Sequence, residues 1–200
     1  MTFNYQAEMH PRSQHRHLIL HKPYGVLSKF TDGEGRPTLA DYVADPRVYP
    51  AGRLDMDSEG LLLLTSDGDL AHRLTSPLQK ISKTYLVQVE RIPDESALVH
   101  LREGVMVKGK RTRPAKVQLL QNEPAVYPRS VPIRFRKSVP TAWLRMEIQE
   151  GKNRQIRHMT AQVGHPTLRI IRVAIGPIRL GSLPPGQWRE LRPGELRGLS

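Results

Sequence analysis

The sequence contains no cysteine, which excludes disulfide bonds and thiolate metal sites. It has no apolar run that approaches the roughly 20 residues of a membrane-spanning helix, and its N-terminal residues lack the apolar core of a signal peptide. These absences predict a cytoplasmic protein. With 200 residues, 38% of them hydrophobic, the chain is long enough to bury a core of its own.

Acidic residues are scarce in one half of the chain. Residues 1–100 carry 11 basic and 13 acidic side chains, whereas residues 101–200 carry 20 and 6, a net charge of +14. A polyanion is the partner that offsets the self-repulsion of such a surface. The charge distribution therefore favours a nucleic-acid partner over the alternative, a basic surface that serves solubility alone.

The pattern along the chain predicts a mobile basic leader over residues 1–16 and a single domain over 17–200. Many strand patterns with a few inserted helices, in no regular βαβ alternation, predict an α+β fold with a largely antiparallel, mixed sheet of two lobes. Residues 122–140 contain four prolines and predict a long irregular connection.

Two motifs resemble known ligand sites and fail in detail. Residues 55–60 (DMDSEG) copy the first half of an EF-hand loop, but Ser66 stands where the bidentate glutamate is needed. Residues 104–111 (GVMVKGKR) are one residue short of a P-loop, and the pattern there favours a strand. Four histidines near the N-terminus lack acidic or cysteine partners. We therefore expect neither a metal nor a cofactor.

The segment GRLD (52–55) is a candidate site. On an extended segment Arg53 and Asp55 point the same way, while Leu54 between them turns into the core. Taken alone, an arginine beside a carboxylate at a strand edge is most often a surface salt bridge. The pattern gains weight from a second basic element further along the chain.

That second element is GKNRQIRHM (151–159), at the start of a helix predicted over 153–164 with Asn153 as its N-cap and Gly164 just beyond its end. Basic side chains at a helix N-terminus attract anions by both charge and dipole. The alternative is an amphipathic helix with a solvated basic side, and the pattern alone does not separate the two.

Four segments in this order, HKPYGVLS, AGRLDMDSEGLLLLTSDG, KTYLV and GKNRQIRHM, resemble the motifs of the bacterial ribosomal RNA pseudouridine synthases. The G-R-L-D form resembles the branch that acts on small- and large-subunit rRNA, and the match spans roughly residues 17–195. Members often begin with an S4 domain, which the short segment before the first predicted strand cannot contain. The resemblance implies a pseudouridine synthase fold with a cleft across the sheet. It also implies an isomerase whose target lies in ribosomal RNA, and it favours the large subunit. We expect the enzyme to need no cofactor and to act as a monomer.

The resemblance also implies roles for individual residues. Asp55 matches the catalytic aspartate, and Arg157 matches the basic residue that pairs with this acid. Tyr85 matches the tyrosine that lies against the target base, and Ile156 matches the apolar residue that packs beneath it. Arg53 matches the arginine that enters the RNA helix in place of the flipped nucleotide.

Three further residues are expected on the RNA-binding side. Lys152 and Arg154 are expected there because they lie at the predicted helix N-terminus. Lys22 matches the first motif, although that motif is usually regarded as structural. Asp57 and Glu59 match no catalytic position, and Glu59 is expected to brace the turn.

The implied reaction breaks the N1–C1′ bond of uridine and forms a C5–C1′ bond without a redox change. The carboxylate of Asp55 could attack C1′, attack uracil C6, or act as a base at C2′, and the sequence does not choose. An adjacent Arg157 would lower its pKa by about 1–3 units. Two other hypotheses are a non-catalytic RNA-binding or ribosome-assembly protein and a metal-binding regulator. The presence of all three residues Asp55, Tyr85 and Arg157 favours the hypothesis of an RNA-isomerising enzyme over these two.

Overall fold

The computed structural model describes residues 15–133 and 138–198. Nearly all of the predicted leader lies outside these ranges, so its mobility stays a prediction. The strands are β1 His17–Lys22, β2 Tyr49–Pro50, β3 Glu59–Thr65, β4 Lys83–Glu90, β5 Met106–Val107, β6 Lys110–Arg111, β7 Lys116–Leu119, β8 Thr141–Ile148, β9 Thr167–Ile175, β10 Ile178–Arg179 and β11 Trp188–Glu190. The helices are α1 Gly68–Thr75, α2 Glu95–Glu103, α3 Gln155–Gln162 and α4 Pro193–Arg197, with a 3-10 turn at Leu39–Asp41.

Nine of these strands form one sheet in the order β11-β1-β3-β9-β4-β8-β7, with β2 paired to β3 and β10 paired to β9. Within the described residues β3 and β9 are paired in parallel, and the other strand pairs are antiparallel. The predicted α+β fold with a mixed, largely antiparallel sheet is therefore confirmed.

The run of four leucines lies at the centre of this sheet, in β3, whose seven residues are all buried. Leu62 and Leu64 face one apolar cluster, together with apolar side chains of α2 and α3. Leu61 and Leu63 face a second cluster on the opposite side, together with α1. Because a strand sends alternate side chains to opposite faces, a strand covered on both sides is apolar over most of its length, and the polar side chains of β3 are those of Glu59 and Thr65 at its two ends. The acidic loop, residues 55–58, is thereby attached to a buried strand at the centre of the sheet.

Two local predictions are wrong. Residues 104–111 form a hairpin of β5 and β6 instead of one strand, because Lys108 and Gly109 both adopt positive φ angles, +48° and +75°, and reverse the chain. Helix α3 begins at Gln155 with Arg154, not Asn153, at its N-cap. Arg154 has a left-handed φ of +50°, and its side chain is engaged elsewhere, as described below.

The proline-rich connection crosses the second face of the sheet. Among its described residues, 122–133 and 138–140, there is no helix or strand, as predicted. The Tyr127 hydroxyl donates to the Ser182 carbonyl at 3.0 Å, and its own carbonyl accepts from Arg169 at 2.8 Å. The segment is thus fixed to the sheet through Tyr127. None of the helices in residues 15–133 and 138–198 has the length and apolarity needed to cross a membrane.

Candidate active site

The loop that carries Asp55 is held by the HKPYGVLS segment. Leu54 is buried, and both its N–H and its C=O are bonded to the Ser28 hydroxyl, at 3.1 and 2.8 Å. Two residues on, the Met56 carbonyl accepts from the Gly25 N–H at 2.8 Å. With Leu54 fixed inward, the residues on either side of it turn outward, as the sequence predicted. The carboxylate of Asp55 retains 36% of its exposure.

A cleft with a volume of about 620 Å³ opens beside this loop. Such a volume lies within the roughly 300–1,000 Å³ typical of ligand sites. The cleft is lined by residues from distant parts of the chain, and six of the predicted site residues are among them. These six are Arg53, Asp55, Tyr85, Lys152, Arg154 and Ile156.

The predicted ion pair between Arg157 and Asp55 is not formed. Arg157 instead donates to the backbone carbonyl of Asp57 at 2.8 Å and lies 3.3 Å from its carboxylate. Arg154 donates twice to the Asp57 carboxylate, at 2.9 and 2.8 Å, and approaches Asp55 to 3.8 Å. The left-handed turn at Arg154 directs its side chain over the acidic loop. The guanidinium nearest to Asp55 in the described residues therefore belongs to Arg154.

These contacts set the charge state of Asp57. Burial opposes its ionisation, but the hydrogen bonds from Arg154 and the charges of Arg157 and Arg154 outweigh burial and hold the pKa of Asp57 below its ordinary value. Burial also lowers the pKa of Arg157, against the opposing effect of Asp57. Asp57, which the sequence treated as non-catalytic, is the acid that fastens the loop to the start of α3.

Lys22 lies beneath the acidic loop and not on the surface of the protein. The side chain is fully buried, and its ammonium group donates to the carbonyls of Pro23 and Val26 at 2.9 and 2.7 Å. Burial lowers the pKa of Lys22 to about 8, although nearby carboxylates, including Asp57 and Asp55, act in the opposite direction. Its predicted contact with RNA is therefore wrong. The group supports the loop from below.

Tyr85 and Ile156 form the apolar wall of the cleft. They are 8% and 5% exposed and belong to the same buried cluster. Tyr85 lies on β4, where it is paired in register with Arg172 of β9. The packing of Ile156 near Tyr85 agrees with the implied arrangement, and contact with a base stays a prediction.

Glu59 is bonded at the base of the loop. Its carboxylate accepts two hydrogen bonds from Arg169, at 2.8 and 2.7 Å, and both side chains are buried. Arg169 also holds the Tyr127 carbonyl. Glu59 thus joins β3 to β9 and to the proline-rich connection, which agrees with its expected bracing role.

Three further residues also line the cleft, Arg172, Lys83 and Glu150, and the sequence did not identify Lys83 or Glu150. Arg172 is 3% exposed; its Nε donates to the Leu61 carbonyl, and one terminal nitrogen has no partner in the described residues. Burial lowers the pKa of Lys83, and the charge of Arg172 adds to this effect. Two arginines, Arg169 and Arg172, interrupt the apolar residues of the segment RIIRVAI, and this is the signal in the sequence that points to Arg172.

Glu150 organises the other end of the cleft. Its carboxylate accepts from the Arg113 N–H at 2.8 Å, from Lys152 at 3.1 Å and from the Gln155 side chain. Across the described residues no group of three His, Asp or Glu side chains is placed to hold a metal ion. Among the described residues that line the cleft, Asp55 supplies a partly exposed carboxylate, beside an apolar wall and a basic rim.

Comparison with known proteins agrees with this geometry. A family model described as RNA pseudouridylate synthase matches residues 16–162. A ribosomal large subunit pseudouridine synthase E from Xanthomonas campestris pv. campestris is 59% identical over 174 residues, which are 86% of this chain and 93% of the relative. A protein of the same name from Vibrio parahaemolyticus is 53% identical and is matched over 88% of this chain and 73% of its own length.

A solved structure extends the likeness to the fold. The crystal structure of a pseudouridylate synthase superposes with a TM-score of 0.78 at 30% identity, covering 94% of this chain and 74% of the other. The family match, the relatives and this superposition all cover the acidic loop and the strands behind it. The chain therefore belongs to the RNA pseudouridine synthases and is an RNA-modifying isomerase.

Proposed function

We propose that this enzyme converts a specific uridine of the large-subunit (23S) ribosomal RNA to pseudouridine, with Asp55 as the catalytic aspartate. The relatives named as large-subunit enzymes support the choice of substrate. The proposal places the enzyme in the cytoplasm, in keeping with a chain that contains no cysteine. We also propose that it acts as a monomer.

The target uridine must leave its stack before its glycosidic bond can be reached, at a cost of a few kcal/mol. Arg53 is exposed on the rim of the cleft and has no hydrogen-bond or ion-pair partner within the described residues. Its planar guanidinium can stack where the base was and bond to phosphate, which offsets part of that cost. Tyr85 supplies an aromatic wall for the displaced uracil.

The chemistry requires a carboxylate at the sugar or the base. Asp55 fits this requirement because its carboxylate opens into the cleft, with the Arg154 guanidinium 3.8 Å away. Attack at C1′, attack at uracil C6 and proton removal at C2′ all begin from the ionised carboxylate. Each route breaks N1–C1′ and leaves the electron pair on the uracil. C5 then bonds to C1′, the proton on C5 is released and N1 is protonated, so that the product is an isomer of the substrate.

The observation that carries the proposal is the position of the Asp55 carboxylate, 36% exposed, in a cleft rimmed by Arg53, Lys152 and Arg154. The test is Asp55→Asn, which keeps the size of the side chain and removes its charge. We expect pseudouridine formation on a 23S rRNA transcript to fall below detection while the Kd for the RNA changes less than two-fold. Retained activity would refute the assignment of Asp55.

The substrate is tested separately in cells. Pseudouridines are mapped in total RNA from a strain that lacks this protein and from the same strain complemented with wild type or with Asp55→Asn. We expect one large-subunit position to lose its modification and to regain it with wild type only. The competing hypothesis, a non-catalytic assembly protein, requires Asp55→Asn to complement fully and charge reversal at Arg154 or Arg172 to fail.

A further inference from the structure

Residues 104–116, here called the basic arm, are a concentrated patch of charge outside the catalytic loop. They contain five basic residues and no acidic residue. The arm comprises the β5–β6 hairpin and the chain that leads into β7. All five basic side chains are exposed, and they are Lys108, Lys110, Arg111, Arg113 and Lys116.

The base of the arm is rigid. The Thr112 N–H donates to the Val105 carbonyl at 2.9 Å, and the Thr112 hydroxyl accepts from the Val105 N–H at 3.0 Å. Gly104 adopts a φ of +94°, and a Cβ atom there would lie 2.4 Å from the Thr112 carbonyl oxygen. The glycine thus allows the two chains to approach closely. The exposed charges project from a fixed support and not from a free loop.

The tip of the arm holds a lysine where the backbone favours another residue. Lys108 has a φ of +48° and precedes Gly109 at +75°, the two central positions of a type I′ turn. Asn and Gly are the residues that this turn prefers, and a left-handed lysine costs about 1–2 kcal/mol. Strain of this kind clusters at functional sites but does not mark one by itself, since Arg91, away from the cleft, is also left-handed.

The arm borders the cleft. Arg111 and Arg113 line the same cavity as Asp55, and β5 packs beside α3. The Arg113 N–H is bonded to Glu150, whose carboxylate also holds Lys152. The arm and the loop before α3 therefore form one continuous basic rim.

The tip of the arm keeps most of its charge unneutralised within the described residues, whereas Lys116 at its end lies 3.1 Å from Glu147. Arg111 lies 3.9 Å from Glu103, and both side chains are more than 60% exposed, so their interaction is weak. Lys108 and Lys110 form no ion pair with the part of the chain that the structure describes. Their positive charge is available to an external anion.

We propose that the basic arm binds the sugar–phosphate backbone of the RNA beside the nucleotide that enters the cleft. This inference rests on the proposed function, which supplies RNA as the polyanion. Contacts to phosphate position an RNA without reading its sequence. The arm therefore contributes to the affinity for RNA and to the position of the RNA along the protein surface, while the cleft selects the base.

The test is the double variant Lys108→Asn and Lys110→Gln in the full-length protein. Asparagine suits the left-handed position better than lysine, so the hairpin is expected to remain folded and to melt at or above the wild-type temperature. The control is Arg91→Asn, which removes one charge from another exposed left-handed residue, with φ +64°. Arg91 is bonded to the Gly164 carbonyl, beyond the last turn of α3, and does not line the cleft.

The measurement is the Kd for a 23S rRNA fragment over a series of salt concentrations. Each lost phosphate contact reduces the slope of log Kd against log salt by about 0.7–0.9. We expect a slope smaller by about 1.5 and at least a five-fold weaker Kd near 0.1 M salt for the double variant, against less than two-fold for Arg91→Asn. An unchanged slope, or an equal loss in the control, would overturn the inference.

This result is independent of the catalytic assignment. RNA binding is measured whether or not pseudouridine forms. A wild-type protein that forms no pseudouridine would therefore refute the proposed function, and the binding of RNA by the basic arm would still be tested. Conversely, a double variant with wild-type binding and wild-type pseudouridine formation would refute the arm and leave the proposed function intact.

Discussion

Arg157 is joined to Asp57 twice, through the backbone carbonyl at 2.8 Å and the carboxylate at 3.3 Å. With the two hydrogen bonds from Arg154, these contacts make Asp57 the link between the acidic loop and α3. Asp55 is left with Arg154 at 3.8 Å and with one side open to the cleft. The two aspartates therefore have different surroundings: Asp57 holds the loop and Asp55 faces the cleft.

These surroundings predict different outcomes for the two aspartates. Asp57→Asn removes the charge that both arginines contact, but its side chain is 32% exposed and the pair is partly screened, so we expect a loss of only about 1 kcal/mol in unfolding free energy. Pseudouridine formation should slow about ten-fold and remain measurable, in contrast to Asp55→Asn. Single-turnover rates on one RNA fragment check this, and an Asp57→Asn rate as low as that of Asp55→Asn would contradict it.

A second prediction concerns the hydroxyl of Ser28. Ser28→Ala leaves the N–H and C=O of buried Leu54 without their partner, and an unsatisfied buried polar group costs about 1–3 kcal/mol. We expect the free energy of unfolding in urea to fall by about that amount, and kcat to fall more than KM rises, because the loop that carries Asp55 loses its support. The exposed Ser96→Ala on α2 is the control and should change neither quantity.

The strands and the general placement of the site were predictable because they follow local patterns. The alternation in KTYLVQVE and the unbroken leucine run predicted β4 and β3, and burial confirms both. The outward turn of Asp55 followed from the inward turn of Leu54. In each case the signal lies within a few neighbouring residues.

The pairing of arginines with aspartates was not predictable, because it depends on contacts between residues about 100 positions apart. A left-handed backbone at Arg154, which no residue pattern marks, directs its side chain to Asp57. The burial of Lys22 was hidden for a related reason: a lysine at the end of a strand normally reaches solvent, and here the acidic loop covers it.

A third prediction tests the close approach of three strands at Gly60. This residue has a φ of +104°, and a Cβ atom there would lie 2.3 Å from the backbone oxygen of Arg172. Gly60→Ala should therefore separate β3 from β9 and destabilise the protein by about 3 kcal/mol or more, the sum of backbone strain and overpacking. Gly33→Ala, where a Cβ would meet no atom within 4 Å, is the matched control. A melting temperature for Gly60→Ala within a degree or two of that of the control would contradict the prediction.

The last prediction follows from the buried ammonium group of Lys22, whose pKa burial lowers to about 8 from an ordinary value of 10.5. Between these two values the unfolded chain binds a proton that the folded chain has released, so stability rises with pH in this window. Below about pH 8 both states are protonated, and the full penalty, about 3 kcal/mol, remains.

Lys22→Met removes this titration while keeping an unbranched side chain, although it leaves the carbonyls of Pro23 and Val26 without their donor. Urea unfolding of both proteins at pH 7.5 and at pH 10 isolates the contribution of Lys22, because other groups titrate alike in the two. We expect the stability of wild type relative to Lys22→Met to increase by about 2–3 kcal/mol at the higher pH. A difference that does not change with pH would mean that the lysine keeps its ordinary pKa, and hence that its ammonium group is hydrated and not enclosed beneath the acidic loop.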